Sequence, residues 1–466
     1  MSGLFGVVSQ KDCIEVLFYG TDYHSHLGTQ KAGLAVFNHK IQRSIHDITT
    51  SQFKSKFVEE LTSFKGKMGV GVISDHDSQP IIISSSFGNF ALVMNGLLIN
   101  KDKLAKEFMI QGGSLSELSS GEINSVEVIG KLIAQKKDIV QGIENVFEKM
   151  KGSVSLLILT KEGIYAVRDK LGRTPLIIGK NEEDWVVASE TCAFPNLGFK
   201  TKKELGPGEV ILISSEGLKK IKTPLGQEKI CSFLWIYTGY PASSYDDISV
   251  ETVRERCGAN LARGDRKARL KIDFATGIPD SGVAHGIGYA QEFKVPYRRP
   301  LIKYSPGYGR SYTPPSQKIR DMVAKMKLIP VPEVIKDKRI VICDDSIVRG
   351  TQLKNQAMAK LWQWGAKEIH VRIACPPLMF PCQYCLSTRT NKELAARRAI
   401  EKTFGKKKIP LQNFLDDKSP QYQKMVKSIC KELGATSLEY QSIEDMIKAI
   451  NLPRKRLCLF CWTGSD

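Results

Sequence analysis

Apolar and polar residues alternate in two different rhythms along the 466-residue chain. Up to about Lys222 the apolar residues come in short β-branched runs closed by Gly, Asp, Asn or Ser. These are Gly3–Ser9, Gly33–Phe37, Gly69–Ser74, Pro80–Ser85, Phe90–Gly96, Ser153–Leu159, Gly163–Asp169, Asp184–Glu190 and Gly208–Ser214. Such runs fit strands, because a branched side chain packs well on a pleated surface. Two stretches with helical spacing, Asn124–Ala134 and Ile139–Lys149, stand between them. The pattern predicts sheets packed on one another or covered by helices, an α+β or layered domain. Lys222–Lys229, polar and carrying Pro224 and Gly226, makes a boundary. Beyond it the rhythm becomes strand, loop, helix: Arg339–Cys343 reads as a buried strand, Gln352–Gly365 as a helix and Glu368–Ala374 as the next strand. That is a βαβ unit of a parallel α/β sheet, in which ligands collect at the C-terminal ends of strands.

Composition narrows the class. Hydrophobic residues at 42% and charged residues at 25% are ordinary globular values, which excludes disorder, collagen-like repeats and a disulfide-dense miniprotein. No apolar stretch approaches the ~18 residues of a membrane span, and no basic segment precedes the apolar N-terminus. A soluble, cytoplasmic protein without a membrane partner is expected. Lys and Arg number 68 against 49 Asp and Glu, a net +19 that suits nucleic acid or small anions such as phosphates. Because no RNP-type aromatic motif, zinc finger or basic heptad accompanies it, nucleic acid is not expected as a partner. Eleven cysteines in such a chain speak for reduced thiols or a metal centre rather than disulfides.

The phosphate chemistry concentrates in IVICDDSIVRGT, Ile340–Thr351. Two adjacent carboxylates, Asp344 and Asp345, leave an apolar strand and enter a Ser- and Gly-bearing turn before a helix. Free backbone N–H groups there can seat a phosphate, and the carboxylates can accept from sugar hydroxyls or hold Mg²⁺. Alone, Asp-Asp-Ser also reads as a solvated turn with a helix cap. There is no Walker motif and no G-x-G-x-x-G. The full string resembles the phosphoribosyl-pyrophosphate loop of the type I phosphoribosyltransferases. Four further pieces sharpen the resemblance to the amidophosphoribosyltransferase family: Ile278–Gly282 (IPDSG), Leu301–Arg320, Lys325–Leu328 and Val371–Cys382 (VRIACPPLMFPC). They come in family order with family spacing.

The resemblance implies that Asp344 and Asp345 engage the ribose hydroxyls and Mg²⁺, with Ser281 at the metal and pyrophosphate. Ser346, Ile347, Val348, Arg349, Gly350 and Thr351 would cradle the 5′-phosphate. Lys303 and Arg310, with Tyr308 and Gln317 nearby, lie on what the family uses as a loop closing over pyrophosphate. Here that loop reads KYSPGYGR in place of the usual KNRYVGR, one residue longer, which bears on lid closure more than on binding. In the implied reaction pyrophosphate leaves the anomeric carbon through an oxocarbenium-like state and ammonia attacks. Electrostatic preorganisation and water exclusion supply most of the rate.

The family also carries an N-terminal nucleophile glutaminase, whose mature chain begins Cys-Gly-Ile and uses its free α-amine as base. With Met1 removed, Ser2 takes the cysteine position. Its hydroxyl is a weaker nucleophile than a thiol of pKa ~8.5. The family's Arg-Tyr-Ser-Thr, whose arginine pairs with the glutamine α-carboxylate, is replaced by Val72, Ile73, Ser74, Asp75 and His76. Its Ser-Asp-Thr-Glu, whose aspartate meets the α-ammonium, is replaced by Asn124, Ser125, Val126 and Glu127. Only the oxyanion-hole pair, Asn95 and Gly96, survives. Losing both charge partners costs on the order of several kcal/mol of glutamine binding. The glutaminase half-reaction is therefore expected to be lost, with free or partner-supplied ammonia as the nitrogen donor. Ala166–Asp169, Gly172–Arg173, Ala188–Cys192 and Pro207–Val210 match in order, so the fold of the domain is expected to be kept.

Two C-x-x-C pairs, Cys382/Cys385 and Cys458/Cys461, suggest a four-sulfur zinc site, although the interval between them is long for a zinc ribbon. The resemblance suggests a different set, the [4Fe–4S] cluster of one branch of the family, on Cys231, Cys382, Cys458 and Cys461. Cys385, where the family has glycine, is a competitor. Cys13, Cys192, Cys257, Cys343, Cys375 and Cys430 read as core or incidental residues. His24 and His26 read as a polar turn, and His285 as a residue that caps or packs a helix.

The expectation is an αββα N-terminal nucleophile, glutaminase-like domain over residues 1–228 and a type I phosphoribosyltransferase domain over 229–466. The resemblance implies 5-phosphoribosylamine synthesis for purines, feedback by purine nucleotides and a homo-oligomer. A non-catalytic regulatory relative that binds phosphoribosyl pyrophosphate or nucleotide is the competing class.

Overall fold

In the computed structural model, which describes residues 2–304, 326–384, 388, 390–405 and 410–465, each apolar run of the first half contains a strand. One antiparallel sheet has seven strands in the spatial order Lys200–Glu204, Ile177–Lys180, Trp185–Ala188, Ser2–Val8, Met68–Ser74, Lys31–Asn38 and Lys40–Asp47. A second has six: Gly217–Lys222, Val210–Ser214, Ile164–Arg168, Gly152–Leu159, Gly88–Leu98 and Ile81–Ser85. The two-residue period of a strand sorts their side chains. Leu4, Val70 and Val72 join Val93, Leu157 and Ile211 between the sheets, while Phe5, Val7 and Ile73 face the other way. The outer face of the six-stranded sheet is covered by Ser125–Ala134 and Ile139–Lys149, capped by Asn124 and Asp138. Helix Ile14–Asp22 covers the seven-stranded sheet, and glycine is needed beneath it: a Cβ on Gly71 would lie 2.0 Å from the Thr21 hydroxyl. The first half is thus the α/β/β/α sandwich expected.

The second half is built on four parallel strands in chain order: Phe274–Gly277, Arg339–Asp344, Glu368–Ile373 and Ser437–Tyr440. Helices Val250–Lys267 and Val283–Phe293 pack closely because Gly258 lies against the His285 backbone, where a Cβ would meet the carbonyl at 1.8 Å. Beneath the sheet Arg372 grips Asp265 through two hydrogen bonds of 2.6 and 2.7 Å, and Tyr289 donates to the same carboxylate at 2.6 Å. Among the described residues no helix is long and apolar enough to cross a membrane.

The halves meet along a backbone seam. The Lys229 amide donates to Leu171 and the Cys231 amide to Arg173, and Ile230–Cys231 then pairs in parallel with Leu457–Cys458.

Candidate active sites

Strand Arg339–Asp344 lies inside the parallel sheet, so Asp344 and Asp345 emerge at its C-terminal end, both buried. Ser281, from the loop after strand Phe274–Gly277, donates to Asp344 Oδ1 at 2.8 Å, and the Asp345 amide donates to the same oxygen at 3.0 Å. The Ser346 hydroxyl donates to Asp345. Glycine lets these loops close on each other: a Cβ on Gly282 would lie 2.1 Å from the Cys343 carbonyl. Burial, then the charge of Asp345, pushes Asp344 well above the carboxylate range; burial also raises Asp345, with the Arg254 guanidinium opposing. Two buried acids that repel each other beside a hydroxyl make a donor set suited to a divalent cation, which would release their protons.

The following turn is neither strand nor helix until Thr351, where a helical segment begins and runs on to Gln363. Gly350 takes a left-handed φ of +76° at the bend. The predicted phosphate residues divide by role. Ile347 is buried in the core, Val348 accepts through its carbonyl from the Ala395 amide at 2.7 Å, and Arg349 pairs with Glu393 at 2.6 Å. The backbone N–H groups of 346–350 and the Thr351 hydroxyl are what this turn offers a phosphate. Lys303 reaches the same corner and pairs with Asp280, beside Ser281. Arg310, Tyr308 and Gln317 lie outside the described residues.

In the first half of the chain, the second predicted site assembles around strand Ser2–Val8. The Ser2 backbone nitrogen donates to Asn95 Oδ1 at 3.0 Å, and Gly96 takes a φ of +124° beside Ser153. The pair expected to form an oxyanion hole thus stands at the expected nucleophile position. The register singles out one residue of the Val72–His76 span. Ser2 faces Ser74, not Ile73, and the two hydroxyls bond at 3.3 Å. Ile73 points into the core because a one-residue step reverses a side chain's face. Gln79 ties the site together, donating to Ser74 Oγ at 3.3 Å and accepting from the Met94 amide at 2.7 Å. Ser125 is buried at the start of its helix, its amide donating to Asp77 at 3.3 Å.

All four cysteines of the predicted iron–sulfur set converge. Cys231 is in register with Cys458. The Cys461 thiol is raised well above its ordinary value, chiefly by hydrogen bonding with Cys382, then by burial and by the thiols of Cys382, Cys231 and Cys458. A thiol set among three others belongs to the kind of donor set that a cationic iron or zinc centre would ionise. As they stand, no three Cys, His, Asp or Glu side chains among the described residues form a metal-holding group. Cys385 lies outside the described residues, and Cys13, Cys192, Cys257, Cys343 and Cys375 are buried, as expected of core residues.

Several residues at the junction escape a sequence reading. His24 and His26 lie in a turn, as read from the sequence, but His24 is buried there, and burial lowers its pKa to about 4. His26 lies 3.1 Å from Glu190, whose carboxylate also accepts from the Tyr240 amide and the Ser243 hydroxyl, both at 3.0 Å. Arg254 donates to the carbonyls of Trp235, Tyr237 and Gly239. His285 packs inside helix Val283–Phe293 with Nδ1 on the Arg254 carbonyl, one of the two roles expected of it. A lone charge inside VRERC or ASETC carries no spacing that separates it from surface charges.

A glutaminase-type sandwich joined to a phosphoribosyltransferase-type sheet, with an acidic pair at the strand end, defines the class. The profile of the family "Glutamine amidotransferase domain" matches residues 67–196. The amidophosphoribosyltransferase of Methanocaldococcus jannaschii is 32% identical over all of this chain and 97% of its own length. That of Bacillus subtilis is 32% identical over 99% of this chain and 93% of its own. The solved structure of the Bacillus subtilis glutamine phosphoribosylpyrophosphate amidotransferase complexed with ADP and GMP superimposes with a TM-score of 0.84. It is 31% identical and covers 99% of this chain, which covers 96% of it. The chain belongs to the amidophosphoribosyltransferase family.

Proposed function

We propose that the protein is an amidophosphoribosyltransferase of purine biosynthesis that makes 5-phosphoribosylamine and pyrophosphate from phosphoribosyl pyrophosphate, with ammonia rather than glutamine as its nitrogen donor. The observation that carries the transferase reading is the buried Asp344–Asp345 pair oriented by Ser281 and Ser346 at a strand end. Asp344, Asp345 and Ser281 would hold Mg²⁺, which would supply positive charge for the leaving pyrophosphate. The protein's own groups do the rest. The two carboxylates orient the ribose hydroxyls, the 346–351 backbone seats the 5′-phosphate, and Lys303, kept near the site by Asp280, adds charge where pyrophosphate departs. Arg310 joins it in this reading.

The ammonia reading rests on what surrounds Ser2. Its hydroxyl meets Ser74 and its backbone nitrogen donates to Asn95 of the oxyanion pair, but Ser74 and Ser125 replace the charged groups that hold glutamine in the family. We further assign residues 1–228 and 229–466 as the two domains, Cys231, Cys382, Cys458 and Cys461 as ligands of a [4Fe–4S] cluster, purine nucleotides as inhibitors, and a homo-oligomer as the working form. The nucleotide assignment is supported by the Bacillus subtilis relative, solved with ADP and GMP.

Pyrophosphate release from phosphoribosyl pyrophosphate and Mg²⁺, followed in parallel with ammonium and with glutamine, tests the function. Turnover with ammonium alone is expected. Turnover with glutamine overturns the ammonia reading. Silence with both, in protein whose cluster is intact, identifies a regulatory relative that binds the substrate without converting it.

A further inference from the structure

The cysteine site has a charged neighbour from the other half of the molecule. Arg173 is only 3% exposed, and its guanidinium carbon lies 3.3 Å over the centre of the Tyr384 ring. Tyr384 follows Cys382 closely in the chain and meets Phe460, the neighbour of Cys461, edge-on with centroids 5.8 Å apart. The Arg173 carbonyl also accepts from the Cys231 amide at 3.1 Å. One residue of the glutaminase-like half therefore contacts the strand of one cysteine through its backbone and the loop of a second through its side chain. Mere stapling of two halves needs the backbone contact only. The stacked guanidinium places a permanent positive charge, in a buried position, against the loop that carries Cys382.

We propose that Arg173 is a positioning residue for the metal centre. It closes the face of the centre toward the first half and balances part of the negative charge of its thiolates. The proposal rests on the reading of the four cysteines as iron–sulfur ligands. Four thiolates leave a [4Fe–4S] centre net negative, and reduction makes it more so. A nearby cation therefore favours the reduced form and raises the potential, while a flat group over the adjoining aromatic ring limits solvent access. Arginine suits both tasks because its weakly hydrated plane stacks on tyrosine, whereas lysine brings the charge without the plane.

The full chain, purified without oxygen, would be compared with R173Q and R173K for iron content, absorption near ~400 nm, midpoint potential and the rate of bleaching in air. R173Q is expected to bind iron, to titrate at a more negative potential and to bleach several-fold faster than the wild type. R173K is expected to keep the potential and still bleach faster. An R173Q protein with unchanged potential and unchanged bleaching overturns the role of Arg173 while leaving the cluster reading in place. A wild-type chain carrying zinc, or no metal, overturns the cluster reading and this proposal with it. If R173Q does not accumulate as a folded chain, Tyr384→Leu removes the stacking platform with Arg173 still present. Faster bleaching is then expected, and an unchanged rate overturns the proposal.

Discussion

At residue 96 the backbone runs at a φ of +124°, and a Cβ built there lies 2.1 Å from the Ser153 carbonyl oxygen. Both the dihedral and the contact demand glycine. Gly96→Ala should cost about 2–3 kcal/mol of stability, read as a lower urea midpoint with an unchanged slope. An unchanged midpoint would show that strand Gly88–Leu98 can shift away from its neighbour. At Ser2 the relevant question is chemical. Ser2→Cys installs a thiol in contact with Ser74, but it supplies no partner for the two charges of glutamine. Glutamate release from glutamine should therefore stay at background in S2C, and its appearance would show that the groups around Ser2 still hold glutamine. The sequence marks only the span Val72–His76 as standing where the family has Arg-Tyr-Ser-Thr; the register sets Ser74 opposite Ser2 and Ile73 opposite Gly3. Which member of Ile73-Ser74 faces Ser2 depends on pairing across 72 positions of chain, and local pattern does not set that register.

Elements were more legible than their partners. Helix Ile139–Lys149 is the stretch that its spacing predicts, and Ser125–Ala134 starts one residue late because Asn124 stays outside as the cap, accepting from Val126 at 2.8 Å. The strand before the acidic pair runs on to include Asp344. By contrast, nothing in the sequence marks Arg372 and Asp265 as a pair, since a buried ion pair between a strand and a distant helix has no period. Both are nearly fully buried, and their two short hydrogen bonds tie helix Val250–Lys267 to the sheet. Arg372→Met strands the Asp265 charge and should destabilise the second half by about 3–5 kcal/mol. Adding Asp265→Asn should recover part of that loss in a thermal melt. If the double variant melts no higher than R372M, the damage lies in packing rather than in the uncompensated carboxylate.

Across the whole molecule the halves are joined by charges that come from five separate places in the chain. Arg168 reaches Glu228 at 3.0 Å and Glu204 at 3.8 Å, Arg456 reaches Asp246 at 2.8 Å and pairs with Glu228, and Glu204 accepts from the Asp246 amide at 2.7 Å. Burial holds the Glu204 carboxyl up at about 7, with Asp246 and Glu228 reinforcing the shift and Arg168 and the Asp246 amide opposing it. An acid whose folded pKa lies above its unfolded value of 4.5 binds its proton more tightly in the folded chain. Its contribution to stability is then fully present below the unfolded value and is lost as pH rises through about 7, a loss of roughly 1–3 kcal/mol. The junction should loosen between pH 5 and 8 for this reason, a window set by the two pKa values. Glu204→Gln keeps an oxygen for the Asp246 amide and removes the ionisation. Its melting temperature should fall less than that of the wild type across that window, and should exceed it at the alkaline end. Parallel curves for the two proteins would assign the pH response to another group, and the Arg168–Glu228–Arg456 pairing would then hold the halves together without help from Glu204.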